Sequence, residues 1–567
     1  MSWLAPHRRR DQRKESLVEP VSRRSLLRGG LATAALAATG LPVLSGCSNT
    51  TAGTSNAKTT QKSAAALLPT YRKYAQVKPD LVGTDLILDG FLSYPDKPVR
   101  AIEETPGDGK TVTFMTNIPG AIPPTEDRNS FWQTLNKRIG SPLEISMASN
   151  DEYPEKFATR IAGDDLPDVI NIPPATAQLP GLLQAKCQDL TEHLAGDAVL
   201  KYPFLANLPA EAWKGCIYNG AIWGIPIPRG MARTALPLYR EDLLAAKGIK
   251  DPAPSNFQEF LDLCKELTDA KSRRWAWASA PTNYVKQMLD IPYLWKQEGG
   301  KFTSANESEQ MKTALESVRK LVAAGVVNPD AFGSGASQQK QWFNGGIVCF
   351  VLDSFVAWNQ FYADNTAGDA FAVNMLDVPG FDGGEGTPWL GLALNNITAF
   401  NKDNEHSTET LLKLADWMSA SFGTEEYLFR KYGLPGSHYT MQGSDPIPSR
   451  TGVTETGIGL QYFGDAPMAL YLAGKPDVVR KQYAIQQKIT PRLIKDASYG
   501  LYSDTKDRKS GQIDGVLNDL ATQIILGRKP VSDWDEGVKV WLSNGGEAIR
   551  GELEKSYAEA AKNAGTK

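Results

Sequence analysis

The sequence predicts an α/β protein of two or more lobes, each built on mainly parallel strands covered by helices. Three observations predict it. Between Thr111 and Asn171 the pattern runs strand, helix, strand, helix, strand, the βαβ alternation that gives a parallel sheet. Farther on, Gly346-Ile-Val-Cys-Phe-Val-Leu352 is a continuous apolar run, as expected of a strand covered on both faces. The roughly 460 residues of globular composition also exceed what one hydrophobic core sustains.

Ahead of that body, Ser22 to Cys47 places Arg23 and Arg24 before a mildly apolar run, Leu31 to Leu44, closed by Leu44-Ser45-Gly46-Cys47. This is the order of an export signal followed by a lipidation site. The Ser-Arg-Arg-x-Leu-Leu stretch resembles a twin-arginine signal. The residues ending in Cys47 resemble the lipobox of bacterial lipoproteins, in which the cysteine is acylated and becomes the first mature residue. The 14-residue apolar run, interrupted by Pro42, is shorter than the ~20 residues a spanning helix needs. Residues 1–46 therefore read as a signal peptide. Everything after Cys47 is expected on the extracellular face of the cytoplasmic membrane, held there by lipid alone.

Without those 46 residues the chain keeps 53 Lys and Arg against 61 Asp and Glu, a net charge of -8. An acidic surface argues against nucleic acid or anionic lipid as a partner. Beyond Cys47 four cysteines remain, Cys187, Cys216, Cys264 and Cys349, and their spacing does not rank the possible pairings. There is no CxxC, and His193, His406 and His438 stand far apart. They read as surface or turn residues, and neither a His/Cys metal centre nor any cofactor is expected.

Residues 48–66 are rich in Ser, Thr, Ala, Asn and Lys, with no aromatic or acidic residue. Such a segment buries too little to order itself and reads as a tether. Residues 67–107, mixing Tyr, Pro and short apolar runs, read as a strap laid on the body; tether and strap together span 47–107. The first strand then runs from Thr111 to Met115 and ends at Asn117. Phe131, Trp132, Leu135 and Ile139 follow at helical spacing, then a strand from Leu143 to Met147. A helix from about Glu152 turns at Gly163 and Pro167 into the strand Asp168-Val-Ile-Asn171. Ligands of such sheets bind beyond the carboxyl ends of the strands, where Asn117 stands.

Asn256 and Glu259 form a capping box for a helix carrying Phe257, Phe260, Leu261, Cys264 and Leu267 on one face. Met311, Leu315, Val318, Leu321 and Val322 make a second apolar stripe, stopped by Gly325 and Pro329. These helices are scaffold, and Cys264 is expected to be a buried thiol. Trp275 and Trp277 share one face of a strand, followed by a loop with Tyr284. The apolar run from Gly346 ends at Asp353, with Trp358 five residues later. A further strand lies within 371–378, and 388–394 leads onward. From Leu411 the chain is mostly helical, apart from a long loop at 433–464 that carries Tyr439 and Tyr462.

Four of these stretches, in this order, resemble the bacterial extracellular solute-binding proteins of the sugar-binding type. Ile161-Ala-Gly-Asp-Asp-Leu-Pro-Asp-Val-Ile170 is similar to that family's ASGDLPDV, and Asn219-Gly-Ala-Ile-Trp-Gly-Ile-Pro226 to its DGKIYGIP. The third is Leu238-Tyr-Arg-Glu-Asp-Leu-Leu with Gly248 and Pro252, and the fourth is the helix from Ala314 to Asn328-Pro329. The resemblance covers about 110–440. Two departures, Trp223 where Tyr is usual and Asn256-Phe257 in place of Thr-Trp, bear on ligand identity more than on fold.

The resemblance implies a two-lobe periplasmic-binding-protein-like fold of type II, with the ligand cleft between the lobes. Lobe 1 would comprise 108–230 and 389–440, lobe 2 would comprise 231–388, and 441–567 would complete both. Pro228 to Thr234 and Trp389 to Leu394 would be the hinges. It also implies a receptor that captures a sugar or oligosaccharide by lobe closure and delivers it, as a monomer, to the permease subunits of an ATP-driven importer. An aromatic ring stacks on the apolar face of a pyranose, and hydroxyls need Asn, Asp and Arg partners. On that chemistry the candidate ligand residues are Asn117, Trp223, Arg229, Trp277, Tyr284, Asp353, Trp358 and Trp389, whereas Trp132, Trp417 and Trp541 are expected in cores. No catalysis is expected. An exported glycoside hydrolase or lyase, which needs a carboxylate pair, is the alternative; no G-x-S-x-G, H-E-x-x-H or G-x-x-x-x-G-K motif is present.

Overall fold

The computed structural model describes residues 66–564 apart from 366, 367 and 369. Arg23, Arg24 and Cys47, the export and lipidation candidates, lie outside the described residues. The first sheet opens with β1 (Val112–Ile118), α1 (Ser130–Ile139), β2 (Leu143–Ser149), α2 (Tyr153–Gly163) and β3 (Val169–Ile172), and is extended by β4 (Ile225–Pro228). The second sheet and its helices follow: β5 (Ala235–Arg240), α3 (Phe257–Leu267), β6 (Trp275–Trp277), α4 (Thr282–Met288), α5 (Gln310–Ala323), α6 (Ala336–Asn344), β7 (Val348–Ser354), α7 (Phe355–Ala363) and β8 (Val373–Met375). The chain then returns to the first sheet with β9 (Leu394–Phe400), α8 (Thr408–Met418) and α9 (Glu425–Tyr432). It ends in α10 (Pro476–Ile489), α11 (Asp504–Ile525), α12 (Asp533–Trp541) and α13 (Glu547–Ala564).

In the first sheet the order is β2-β1-β3-β9-β4. The pairs β1/β2 and β1/β3 are parallel, in register from Val112↔Leu143 to Ile118↔Ser149, whereas β9 is antiparallel to both β3 and β4. The second sheet has the order β8-β5-β7-β6, with β7/β6 parallel and β5 antiparallel to β7 and β8. Both sheets are therefore mixed. The antiparallel members β5 and β9 are the strands the chain enters straight from the other sheet, without a covering helix to reverse its direction.

Local sequence sets the helix ends. The Asn129 side chain accepts from the Trp132 amide at 2.9 Å to open α1, and Gly140, at φ 72°, closes it. Asn256 accepts from the Glu259 amide at 2.9 Å, while Glu259 accepts from the Ser255 backbone amide (2.8 Å) and the Asn256 side chain (3.4 Å) rather than from the Asn256 backbone amide. One face of the first sheet packs Phe114 against Phe131, Leu135, Trp417 and Phe429; the other packs Met115 and Ile170 against Tyr153, Phe157 and Leu183. The second sheet and the C-terminal helices share one core, including Phe260, Trp277, Phe350, Trp358, Ile513, Trp541 and Leu553. Burial on this scale is the main stabilising term.

All four described cysteines are free and buried. Burial pushes the Cys187 thiol up to about 12, so it is unreactive at neutral pH. His406 and His438 correct the expectation of surface histidines, being 7 % and 0 % exposed. Nδ1 of His438 accepts from the Leu434 amide (2.9 Å), which leaves Nε2 to carry the proton facing Glu455 Oε2 at 3.0 Å. His406 contacts Asp108 (3.0 Å) and the Thr111 carbonyl (3.1 Å). Both tie segments together because a ring with two polar edges bridges groups distant in sequence.

The strap, 67–107, has definite partners on the segments flanking both sheets. On lobe 1 the amides of Thr70 and Arg72 donate to Gly196 and Ala206 (3.0 and 2.8 Å), the Tyr74 amide to Asn207 (2.9 Å), and the amides of Ala101 and Ile102 to Glu426. Between these anchors it reaches α10: the Leu88 amide donates to Gln486 Oε1 (2.9 Å), and the Tyr483 hydroxyl donates to the Val82 carbonyl (2.7 Å). Phe91 and Tyr94 stack with Phe422 and Tyr471 in a small aromatic core.

Candidate functional site

Three chain crossings join the sheets. The first, 229–234, and the second, 389–393, run side by side: the amides of Arg229 and Gly230 donate to the Ala393 and Leu392 carbonyls (2.8 and 3.1 Å), and the Gly391 amide to Thr234 Oγ1 (3.1 Å). A Cβ on Gly391 would lie 2.4 Å from the Arg233 carbonyl carbon, so only glycine permits this approach. The third crossing, 464–475, leaves Phe463, packed on Phe114, and enters α10. On lobe 1 the first two meet the edge where the parallel strands end, because Leu394 pairs with Pro228 and Ile397 with Ile172. On lobe 2 they meet the end of β7, where Ser354 pairs with Ala235.

The lobe 1 edge carries a ladder of amides. Asn171 Nδ2 donates to Asn117 Oδ1 (2.6 Å), and Asn117 Nδ2 donates to Asn150 Oδ1 (2.5 Å). Asn171 Oδ1 is buried without a partner among the described residues. Asn395 and Asn396 sit where the register between β9 and β4 shifts, at 8 % and 9 % exposure. Such groups are fixed donors and acceptors for a polar solute. Opposite them, Asp353 Oδ1 accepts from the Ser354 amide (2.8 Å) and Oδ2 pairs with Lys340 (3.1 Å). The lobes touch where the Asp151 carboxylate meets Gly335 ahead of α6; a Cβ there would be 2.7 Å from Asp151 Oδ2.

Between the first and third crossings lies a charged cluster. Asp465 pairs with Arg229 (3.2 Å), Arg430 (2.9 Å) and Lys431 (3.2 Å). Burial pushes the Asp465 carboxyl up, but Lys431, Arg430 and Arg229 together hold it well below the usual carboxylate range. For Lys431, burial dominates and carries the ammonium down to about 8, with Asp465 pulling the other way and the two arginines adding to the fall.

Of the sequence candidates, the structure brings Asn117, Arg229 and Asp353 to these facing edges. Trp389 is on the second crossing, 9 % exposed, stacked on Tyr293 (5.1 Å between centroids) with Nε1 donating to the Ile291 carbonyl. Trp223 lies against Cys216 and Leu394 in the lobe 1 core, with Nε1 donating to the Tyr218 carbonyl (2.8 Å). Trp277, Tyr284 and Trp358 are a correction: all three are 0 % exposed in the lobe 2 core. Trp277 stacks on Phe350 and donates to Cys264 Sγ (3.3 Å), and Tyr284 donates to the Asp377 carbonyl (2.6 Å). Trp358 packs on Phe355. Nearness to a strand end does not decide which way a ring points, and apolar neighbours on other elements bury these three. Trp132, Trp417 and Trp541 are also buried, Trp541 donating to Asp514 at 2.7 Å.

Sequence reasoning missed Asn150, Asn395, Asn396, Arg430, Lys431 and Asp465. Asparagines at the carboxyl ends of β2 and β3 were a usable signal; nothing local marks Asp465 or α9. Cavities of about 390 Å³ (lined by Arg273, Trp275 and Trp342) and 570 Å³ (between α11 and α12) lie away from the crossings.

Two sheets joined by paired crossings, with polar groups gathered on the facing edges, define the two-lobed periplasmic-binding fold of solute receptors. The chain belongs to the bacterial extracellular solute-binding proteins, whose family model matches residues 132–421. Among curated relatives it is 22% identical to polygalacturonan/rhamnogalacturonan-binding protein YtcQ of Bacillus subtilis (strain 168) over 446 residues, 75% of this chain and 87% of YtcQ. It is 19% identical to Lipoprotein LipO of the same organism over 483 residues, 80% of this chain and 93% of LipO. In structure it is similar to the ABC-transporter substrate-binding protein FusA of S. pneumoniae, solved with kestose, at TM-score 0.59 and 14% identity, covering 80% of this chain and 100% of that one.

Proposed function

We propose that the protein is a monomeric receptor that captures a sugar or oligosaccharide by closing its lobes and delivers it to an ABC import permease, without covalent chemistry. The observation that carries the reading is the set of asparagine amides on the lobe 1 edge, at the crossings that would act as hinges. Family membership supports it, as do the polygalacturonan and rhamnogalacturonan bound by YtcQ and the kestose bound by FusA. Asn117, Arg229, Asp353 and Trp389 are the ligand residues this reading keeps from the sequence, joined by Asn395 and Asn396, while the buried Asn171 holds Asn117 in place. Two of the carboxylates near these edges are engaged by cations, Asp353 by Lys340 and Asp465 by Arg229, Arg430 and Lys431, which disfavours them as the carboxylate pair of a glycosidase.

Calorimetric titration with neutral and acidic oligosaccharides, followed by mass analysis of the recovered sugar, tests this reading. At least one should bind and be recovered intact, with a smaller radius of gyration at saturation. Asn117→Ala should weaken that binding about 5- to 30-fold, the worth of one or two hydrogen bonds. Cleaved sugar would replace this reading with the enzyme one.

The anchor belongs to the same proposal: export through the twin-arginine route by Arg23 and Arg24, and acylation at Cys47, as the lipoprotein relative supports. Cys47→Ala should move the protein from the detergent phase of a membrane partition to the aqueous phase, or leave the precursor uncleaved. An unchanged membrane-bound product of the same mass would rule out acylation there.

A further inference from the structure

We infer that the solute is an acidic saccharide, one whose ring carries a carboxylate, and that Arg229 and Lys431 receive that group. The inference rests on the receptor reading above and adds the chemical class of the ligand.

It starts from an imbalance of charge. Arg229, Arg430 and Lys431 all converge on Asp465, and no other acidic group among the described residues forms an ion pair with any of them. One carboxylate against three cations leaves a surplus of two positive charges where Arg430 and Asp465 are only 1% and 10% exposed at the side chain. A buried charge without a counter-charge is costly. The Tyr427 ring offsets a little of that cost, lying 5.7 Å from the Arg430 guanidinium and 5.9 Å from the Lys431 ammonium. Arg430 Nε and Nη2 still have no partner among the described residues. An anion from outside would complete the cluster.

Two of the three cations can meet such an anion. Lys431 is 34% exposed at its side chain. Arg229, 9% exposed at its side chain, donates through Nη1 to its neighbour's carbonyl (2.7 Å) and pairs with Asp465 through the same atom, which leaves Nε and Nη2 as the donors an anion at this edge would meet. Arg430, behind them, adds field without contact. Arg229 also begins the first crossing, on the same sheet edge as the neutral amides of Asn117, Asn395 and Asn396. A planar carboxylate suits the guanidinium fork, and a ring of hydroxyls suits the amides. A solute carrying both is a uronic acid or an oligomer of one.

The experiment compares acidic trisaccharides, trigalacturonate and trimannuronate, with their own methyl esters and with maltotriose. In low salt at pH 7, at least one acid should bind the wild type 10- to 100-fold tighter than its ester, the worth of a charge-assisted hydrogen bond, and sodium chloride should erode the difference. In Lys431→Met and Arg229→Gln, each checked for an unchanged far-ultraviolet spectrum, acid and ester should come within about threefold of each other. An ester or maltotriose bound as tightly as any acid overturns the inference and leaves the sugar receptor standing. Silence from every saccharide, acidic and neutral, overturns both. A preference for acid that survives both substitutions also overturns the assignment to Arg229 and Lys431.

Discussion

Replacing Trp277 with Ala should lower the unfolding free energy by about 3–5 kcal/mol, the cost of emptying a large aromatic site in a packed core. The ring is fully buried, stacked on Phe350 at 5.2 Å and edge-on to Phe260 at 5.9 Å, with its indole N–H given to Cys264. Removal deletes its contacts on β7 and α3 together and strands the thiol. Urea titration followed by far-ultraviolet circular dichroism measures the loss, while the affinity of the folded fraction for whichever saccharide the calorimetric panel identifies stays within about twofold of wild type. A stability change below about 1 kcal/mol together with lost affinity would return Trp277 to the ligand site.

Asp465→Asn should cost a comparable amount, about 3–5 kcal/mol, through electrostatics instead of packing. The amide keeps the shape of the carboxylate but leaves Arg229, Arg430 and Lys431 with no counter-charge at their shared point. Adding Arg430→Met to the variant should restore more than half of the loss, because the most buried of the three cations is then gone. The pH dependence has a definite sign. Burial raises and the three cations lower the Asp465 carboxyl, with lowering the net result. Its contribution is therefore present above the ordinary aspartate value of about 4 and is lost as the pH falls below it. Urea midpoints of wild type and variant should converge on acidification through that range. Equal stabilities at pH 7 would mean that the cluster is already neutralised in some other way.

The backbone was more legible in this sequence than the site. The strands at Val112, Leu143 and Val169 declared themselves as short runs rich in apolar and β-branched residues separated by amphipathic helices. The helix cap at Asn256 and the stripe from Met311 to Leu321 are local features that single residues decide. The aromatic candidates on lobe 2 failed for a physical reason. Trp277, Tyr284 and Trp358 are covered by a shared core that extends to Ile513, Trp541 and Leu553, and no local pattern shows which lobe such distant helices will cover. The charged cluster was invisible on the same ground. Arg229 and Asp465 sit on two separate chain crossings and Arg430 on α9, and an ion pair bridging more than 200 positions carries no motif. Arg229 was the exception, named as a hydroxyl partner three residues beyond the stretch that resembles the family's Gly-Ile-Pro.

The strap gives lobe motion a mechanical limit. Because 67–107 is bonded to Gly196 and Ala206 at one end, Glu426 at the other and α10 between them, parting the lobes must drag the middle of the strap along or release Leu88 from Gln486 and Val82 from Tyr483. If the lobes part as proposed, opening would carry an elastic cost that a pair of bare hinges lacks, and the resting population would be biased toward narrow opening angles. An apparent dissociation constant exceeds the intrinsic one in inverse proportion to the fraction of molecules already competent to bind. A spring that favours nearly closed geometries raises that fraction, so capture needs a smaller shift of population, while escape of the solute must wait for the rarer, wider excursions that stretch it.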